Sequence, residues 1–124
     1  MRGSGTILLV EDDQTVRDFV TIVLTDHGYT VTSACEGADA LKAAARSRFD
    51  LVLTDVIMPG MNGRELFRSV HELQPKCRVI YFSGYPAASG ALRDILESGD
   101  PFLQKPFTVE TLLKKVHDAM HTAA

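Results

Sequence analysis

The sequence predicts an α/β protein with a doubly wound, five-stranded parallel sheet and helices on both faces. Apolar runs of strand length alternate five times with segments whose apolar residues recur at helical spacing. Most of the strand segments are apolar runs rather than alternating patterns, which is typical of parallel strands buried on both faces. Right-handed crossovers leave few topologies for such a chain.

Five short apolar segments are the predicted strands. Gly28 precedes the second and Pro75 precedes the fourth, and both residue types commonly follow the end of a helix. The predicted strands are Thr6–Val10, Tyr29–Ser33, Leu51–Thr54, Arg78–Phe82 and Phe102–Gln104.

One helix is predicted after each strand. Asn62 is expected to cap the third helix and Thr108 the last one. The fourth is the weakest, because Pro86 and Gly90 disturb its start. The predicted helices include residues 16–24, 37–45, 64–73, 88–98 and 109–120, and Gly28 is expected to end the first of them.

The 124 residues fit one domain, which we place at residues 6–121. Residues 1–5 are expected to be disordered or a remnant of an expression vector, and residues 122–124 a C-terminal tail. No repeat or linker interrupts the chain. Any output module is therefore expected outside this unit.

Composition excludes several function classes. A net charge of −3 and a pI near 5.7 give no basic stripe, so direct nucleic-acid binding is not expected. No apolar run is long enough for membrane insertion, and no secretory signal is present, so the expected location is the cytoplasm. Cys35 and Cys77 lack metal-site spacing and are interpreted as reduced, packed thiols.

Polar and charged residues stand at the ends of four predicted strands. Ligands of such sheets bind outside the carboxyl ends of the strands, so these side chains should meet if the first and third strands are neighbours. They are Glu11, Asp12 and Asp13 after the first strand, Asp55 after the third, Ser83 and Gly84 after the fourth, and Lys105 and Pro106 after the fifth.

Clustered carboxylates need a counter-ion. Two unit charges about 4 Å apart repel by roughly 4 kcal/mol at an effective dielectric constant near 20. A divalent cation removes this repulsion, and a small site with only oxygen ligands suits Mg²⁺ better than Ca²⁺ or Zn²⁺. The pattern therefore predicts a phosphoryl site built around a magnesium ion.

Each of these residues also has a purely structural interpretation. Asp13 is expected to be the N-cap of the first helix rather than a ligand. Ser83 is typical of a strand-to-helix turn, and Lys105 before a proline is typical of a surface bend. Their coincidence at the ends of four strands nevertheless favours a functional site.

Four motifs, "LLVEDD", "LVLTDVIMPGMNG", "VIYFSG" and "FLQKPF", occur in an order and spacing that resemble the receiver domain of two-component response regulators. The similarity covers essentially residues 6–121. It implies a flavodoxin-like fold with the strand order 2-1-3-4-5. It also implies a signalling domain that assists its own phosphorylation and dephosphorylation rather than an enzyme.

The resemblance implies a role for each matched residue. Asp55 is the implied phosphoacceptor, taking a phosphoryl group from a phosphohistidine of a sensor histidine kinase or a histidine phosphotransfer protein. Asp12 is the implied direct Mg²⁺ ligand, Glu11 holds the ion mostly through water, and the Ile57 carbonyl is a further ligand. Mn²⁺ is the implied substitute for Mg²⁺.

Ser83 and Lys105 would contact phosphoryl oxygens, according to the same resemblance. Ser83 and Phe102 would form a switch that repacks the surface of the fourth helix, fifth strand and fifth helix, where an unknown downstream protein binds. Ser83 stands for the commoner threonine, and Phe102 lacks the hydroxyl of the commoner tyrosine. Ile57 and Tyr85 would limit access of water to the acyl phosphate. A cis Lys105–Pro106 bond is also implied.

Other classes fit less well. A dehalogenase-type phosphatase needs a second acid where Ile57 stands, and a flavodoxin-type flavin site would be repelled by the acids after the first strand. His71 in "VHELQP" is expected to lie on a helix face, and the pair His117 and His121 on a solvated helix face. A receiver-like docking module without phosphorylation is the open alternative. The chain could be a free-standing regulator or part of a longer regulator or hybrid kinase, and "FSGY" resembles the last of these.

Overall fold

The computed structural model describes residues 4–58, 60–84, 93, 95 and 97–121, and its five parallel strands form one sheet in the order β2-β1-β3-β4-β5. This confirms the predicted fold class and strand order. The strands are β1 (Thr6–Val10), β2 (Thr30–Ala34), β3 (Leu51–Asp55), β4 (Arg78–Ser83) and β5 (Phe102–Gln104). The helices are α1 (Gln14–Asp26), α2 (Gly37–Arg46), α3 (Gly63–Leu73) and a C-terminal helix (Val109–His121).

The alternating side chains of the strands separate two cores. Ile7 and Leu9 point to one face of the sheet and Leu8 and Val10 to the other, because successive strand residues face opposite ways. On the first face, α1 and the C-terminal helix contribute Val20, Val23, Leu24, Leu112, Val116 and Ala119. On the second face, α2 and α3 contribute Ala40, Ala44, Leu66 and Val70.

The strand register aligns the carboxyl ends that the sequence singled out. Val10 pairs with Thr54, so Glu11 follows β1 at the level where Asp55 ends β3. Asp55 pairs in turn with Phe82, one residue before Ser83. The polar strand ends therefore share one edge of the sheet.

Side-chain caps fix where two helices begin. Asp13 accepts hydrogen bonds from the backbone N–H groups of Thr15 (2.9 Å) and Val16 (3.2 Å), which confirms its predicted role as N-cap of α1. Asn62 caps α3 as predicted and forms a reciprocal capping box with Glu65. The Asn62 cap begins α3 immediately after the loop that follows Asp55.

Two predicted elements need comment. The second strand begins at Thr30 rather than Tyr29, because the Tyr29 N–H is bonded to the Leu24 carbonyl (3.1 Å) in the turn that ends α1. The fourth predicted helix, over residues 88–98, falls largely outside the described residues. Those that are described, Arg93, Ile95, Glu97 and Ser98, are helical.

The cysteines differ in their surroundings. Both thiols are free, and Cys77 is buried as predicted. The expectation of a packed thiol is wrong for Cys35, which is exposed and lies 3.6 Å from the Asp39 carboxylate. The reason is its position directly after β2, an edge strand with mostly exposed side chains.

None of the helices within the described residues is long and apolar enough to span a bilayer.

Candidate functional site

Three acidic side chains meet at the carboxyl edge of the sheet. Carboxylate oxygens of Glu11, Asp12 and Asp55 all lie within 4.8 Å of one another. Glu11 is fully buried and Asp55 is 7% exposed, whereas Asp12 lies at the surface. The predicted convergence of the first and third strand ends is therefore present.

Lys105, which directly follows β5, joins this acidic cluster at the same edge of the sheet. Its ammonium Nζ lies 2.8 Å from Asp55 Oδ2 and 2.5 Å from Glu11 Oε1. The two partners are 50 and 94 residues distant in sequence, so only the fold brings the three together. Because the Lys105 side chain is only 21% exposed, these ion pairs are poorly screened by solvent.

Burial controls the protonation of the site. It raises the pKa of Glu11 to about 7, opposed by the hydrogen bond from Lys105 and reinforced by the nearby carboxylates of Asp12 and Asp55. Burial also lowers the pKa of Lys105, but hydrogen bonds and charge interactions with Asp55 and Glu11 outweigh it, so the pKa is raised overall. Lys105 therefore remains an ammonium, and Glu11 is the group most ready to take a proton.

The cluster fits a divalent cation. Three carboxylates against one ammonium leave two negative charges when all are ionised, and the donors are oxygens. Burial is the main reason that the pKa of Glu11 is raised, and the carboxylates of Asp12 and Asp55 raise it further. Hard oxygen ligands of this kind are those that Mg²⁺ prefers.

Backbone contacts hold the acids in place. Asp55 Oδ1 accepts the Ile57 N–H at 3.1 Å, which folds the chain back immediately after β3. The Glu11 carbonyl accepts a hydrogen bond from Arg17 Nη1 at 2.8 Å. Sequence reasoning missed Arg17, because an arginine on a helix carries no signal that it bonds to the backbone of the acidic segment.

Ser83 and Gly84 stand at the end of β4, beside β5. Ser83 is fully buried, and its carbonyl accepts the Lys105 N–H at 2.8 Å and Gln104 Nε2 at 3.1 Å. A methyl group added at Gly84 would be 3.8 Å from Lys105 Cβ, which is ordinary contact. These contacts tie the strand that carries the hydroxyl to the segment that carries the ammonium.

Three further predicted site residues occupy different surroundings. Ile57 is 36% exposed in the loop after β3. Phe102 is half-buried, pairs in register with Tyr81 and packs against the core on the α2 and α3 side. Tyr85 lies outside the described residues.

A largely apolar groove adjoins the acidic cluster. It has a volume of about 480 Å³ and shares Lys105 with the acidic cluster. Its walls come from α1 and from the segment after β5: Thr15, Val16, Phe19, Gly84, Lys105, Pro106 and Phe107. The Lys105–Pro106 peptide bond at its edge is cis, as the resemblance implied.

The histidines lie apart from this site. His71 is exposed on α3 beside Phe67, with 5.6 Å between ring centroids. His117 and His121 stack at the end of the C-terminal helix with centroids 4.1 Å apart. None of these three histidines belongs to a group of three or more possible metal ligands among the described residues. The expected helix-face position of His71 is confirmed, and His121 lies on the expected solvated face. The expectation of a solvated face is wrong for His117, which is only partly exposed and whose Nδ1 is buried without a hydrogen-bond partner in the part of the chain that the structure describes.

Comparison with known proteins assigns the family. Residues 7–117 match the response regulator receiver domain. The receiver protein CpdR of Brucella abortus is 34% identical over 122 residues, covering 94% of this chain and 98% of CpdR. The crystal structure of the receiver domain from the hybrid histidine kinase CckA superposes with a TM-score of 0.80 at 33% identity, covering 94% and 100% of the two chains.

Other relatives are much longer than this chain. The sensor kinase CckA of Brucella abortus is 34% identical over 122 residues, which cover 97% of this chain but 13% of that kinase. The chain also spans about half or less of the transcriptional regulatory proteins TcrX and GlrR.

A doubly wound parallel sheet with acids and a lysine at its carboxyl edge defines the class of two-component signalling domains. The chain belongs to the response regulator receiver domain family. Members of this family are signalling domains rather than enzymes in the usual sense. The phosphatase and flavin-binding alternatives are thereby set aside.

Proposed function

We propose that this chain accepts a phosphoryl group on Asp55 from a phosphohistidine of a sensor histidine kinase or a histidine phosphotransfer protein. The observation that carries the proposal is the double ion pair of Lys105 with Glu11 and Asp55 at the edge where the acids meet. It unites a nucleophile, a cation for phosphoryl charge and ligands for a divalent ion. Those three components are what phosphoryl transfer to a carboxylate requires.

Asp55 is the proposed nucleophile. One of its oxygens attacks the phosphorus, the P–N bond to the imidazole breaks, and the bonding electron pair stays on the ring nitrogen. Asp55 becomes an acyl phosphate. Its Oδ1 accepts the Ile57 N–H and its Oδ2 accepts from Lys105, so both oxygens have a fixed direction before attack.

Lys105 and Ser83 are proposed to hold the phosphoryl oxygens. The ammonium of Lys105 already contacts the acceptor oxygen and needs only a small movement to reach a phosphoryl oxygen. Ser83 adds a hydroxyl donor from the neighbouring strand. Charge that develops on the equatorial oxygens is thereby stabilised by preorganised donors.

Asp12, Glu11, Asp55 and the Ile57 carbonyl are the proposed Mg²⁺ ligands, with Mn²⁺ as a substitute. When bound, the ion supplies positive charge to the phosphoryl oxygens and offsets repulsion between the carboxylates. The proximity of the three acids supports this assignment. Glu11 would lose its proton on metal binding.

Phosphorylation is proposed to be reported through Ser83 and Phe102. New charge on Asp55 draws the Ser83 hydroxyl toward it, and the Phe102 ring, half-buried on the neighbouring strand, moves into the space that is freed. The fourth predicted helix, β5 and the C-terminal helix form the proposed output surface for a downstream protein. The effect is a shift between two packings rather than a hinge motion.

Two bulky side chains are proposed to slow hydrolysis of the acyl phosphate. Ile57 is partly exposed beside the acceptor, where it would hinder water. Tyr85 is proposed to hinder water as well. We propose residues 6–121 as the receiver domain, either alone or within a longer regulator or a hybrid kinase. The similarity to both CpdR and CckA supports these contexts equally.

Phosphorylation by a small donor tests the proposal. The protein is incubated with Mg²⁺ and acetyl phosphate, and the intact mass is measured with Asp55→Asn as the matched control. Addition of one phosphoryl group to the wild type alone is expected. The label should disappear when EDTA is added before the donor.

Two outcomes would contradict the proposal. If no phosphoryl mass is added at millimolar Mg²⁺, a docking module without phosphorylation becomes the better function. Equal labelling of Asp55→Asn would place the acceptor elsewhere in the chain.

A further inference from the structure

The Lys105 ammonium has a third neighbour besides its two carboxylates. Its Nζ lies 4.8 Å from the centroid of the Phe82 ring. An ammonium within about 6 Å of an aromatic centroid is attracted by the negative face of the ring. Phe82 is fully buried, so the ring has no competing contact with water.

The fold holds the Phe82 ring beside the acceptor. Phe82 pairs in register with Asp55 on one side and Leu103 on the other, and its carbonyl accepts the Val56 N–H at 3.1 Å. The Phe107 ring forms a T-shaped pair with it, with an interplanar angle of 87° and 6.3 Å between centroids. The ring is therefore fixed by two neighbouring strands and by a second aromatic residue.

The ring differs from the carboxylates in one respect that matters for phosphoryl transfer. Glu11 and Asp55 change charge and partners when a divalent ion or a phosphoryl group arrives. The Phe82 ring carries no charge and cannot ligate the ion, so its attraction for a nearby ammonium does not depend on the charge of the carboxylates.

We propose that Phe82 is a positioning residue for Lys105. Its ring holds the Lys105 ammonium beside Asp55 once Glu11 and Asp55 interact with a divalent ion or a phosphoryl group instead of with Lys105. The proposal rests on the proposed function, since the benefit appears during transfer to Asp55. The contact itself exists without Mg²⁺ or a phosphodonor and can be measured separately.

The test compares Phe82→Leu with Phe49→Leu. Both variants lose a buried ring, but Phe49 belongs to the core on the other face and lines a cleft with Arg48 and Gln74. If Phe82→Leu fails to fold, Phe82→Met supplies a side chain of similar volume that is unbranched and more adaptable, and it still removes the aromatic face.

The first measurement is the proton NMR shift of the Lys105 ε-methylene group in metal-free protein. An upfield ring-current shift is expected in the wild type and in Phe49→Leu, and its loss is expected in Phe82→Leu. The second is the rate of labelling by acetyl phosphate with Mg²⁺. Phe82→Leu should lower kcat/KM about fivefold, mostly through kcat, and Phe49→Leu should change it less than about twofold.

The outcomes separate this proposal from the proposed function. A Lys105 shift that is the same in Phe82→Leu, or equal labelling rates of the two variants, would overturn the role of Phe82 alone. A wild-type chain that takes no phosphoryl group would overturn the proposed function and, with it, the role of Phe82 in transfer.

Discussion

Replacing Gly63 with alanine should displace the acceptor strand. A Cβ atom at Gly63 would lie 2.4 Å from the Asp55 carbonyl oxygen, and it would also approach Val56 Cα at 3.2 Å. Both neighbours are backbone atoms. Because real Cβ contacts stay beyond 3.0 Å, the contact must open by at least 0.6 Å, the difference between 3.0 and 2.4 Å.

The movement has two possible costs. If α3 retreats, the hydrogen bond from Gly63 N–H to the Val56 carbonyl (2.8 Å) is weakened. If β3 yields, the Asp55 carboxylate leaves its 2.8 Å contact with Lys105. Overpacking costs about 1–3 kcal/mol and a lost hydrogen bond about 1 kcal/mol, while alanine regains up to about 1 kcal/mol of helix propensity. A net loss of about 2 kcal/mol is expected.

Urea unfolding and the rate of labelling by acetyl phosphate measure the two effects. Gly37→Ala is the matched control, because Gly37 also opens a helix but its added Cβ would meet the flexible Met61 side chain at 2.9 Å. Gly63→Ala should label on the order of tenfold more slowly than Gly37→Ala. Equal stability and equal labelling of the two variants would refute the close approach of α3 to Asp55.

Three further predictions follow from single contacts. Lys105→Met should bind Mg²⁺ at least about tenfold more tightly in calorimetric titration, because no ammonium competes for the acids. The same variant should be labelled by acetyl phosphate at least about 100-fold more slowly. Unchanged or weaker Mg²⁺ binding would contradict this. The Gln74 side-chain amide donates to the Ala44 and Ser47 carbonyls and accepts the Phe49 N–H. Gln74→Ala should therefore lower the free energy of unfolding in urea by about 2–3 kcal/mol without slowing labelling. A loss below about 0.5 kcal/mol would show that water replaces these hydrogen bonds. Burial raises the pKa of Cys77 from 9.0 to about 11. Between these pH values the unfolded chain loses the thiol proton while the folded protein keeps it, so the free energy of unfolding should fall as pH rises from 9 to 11. If wild type and Cys77→Ala lose stability equally over this range, the Cys77 thiol is not the cause.

Local patterns predicted the elements because strand and helix signals in this chain are short-range. Apolar runs defined the strands to within a residue or two, and side-chain caps at Asp13 and Asn62 fixed helix starts. The error at Tyr29 has a tertiary cause, since its ring is buried in the core while its backbone completes the turn after α1. Residue type alone could not separate these two roles.

The sequence predicted which charged residues form the site, but it did not predict the contacts that hold them in place. Acids and a lysine at strand ends are visible in sequence, and the parallel sheet dictates that they meet. Contacts that hold them are not visible, because Arg17, Gly63 and Phe82 look like an ordinary helix cation, an ordinary first residue of a helix and an ordinary core residue. Only the register of β3 and β4 shows that Phe82 lies beside Asp55.

The identity of the phosphorylated side chain is the most direct test of the central claim. The protein is labelled by a phosphohistidine-carrying partner or by acetyl phosphate and then treated with borohydride, which reduces an aspartyl phosphate to homoserine. Peptide mass mapping should find homoserine at Asp55 and no phosphoryl group on His71. A stable label on His71, or a reduced residue at Asp12 with Asp55 intact, would contradict the proposed acceptor.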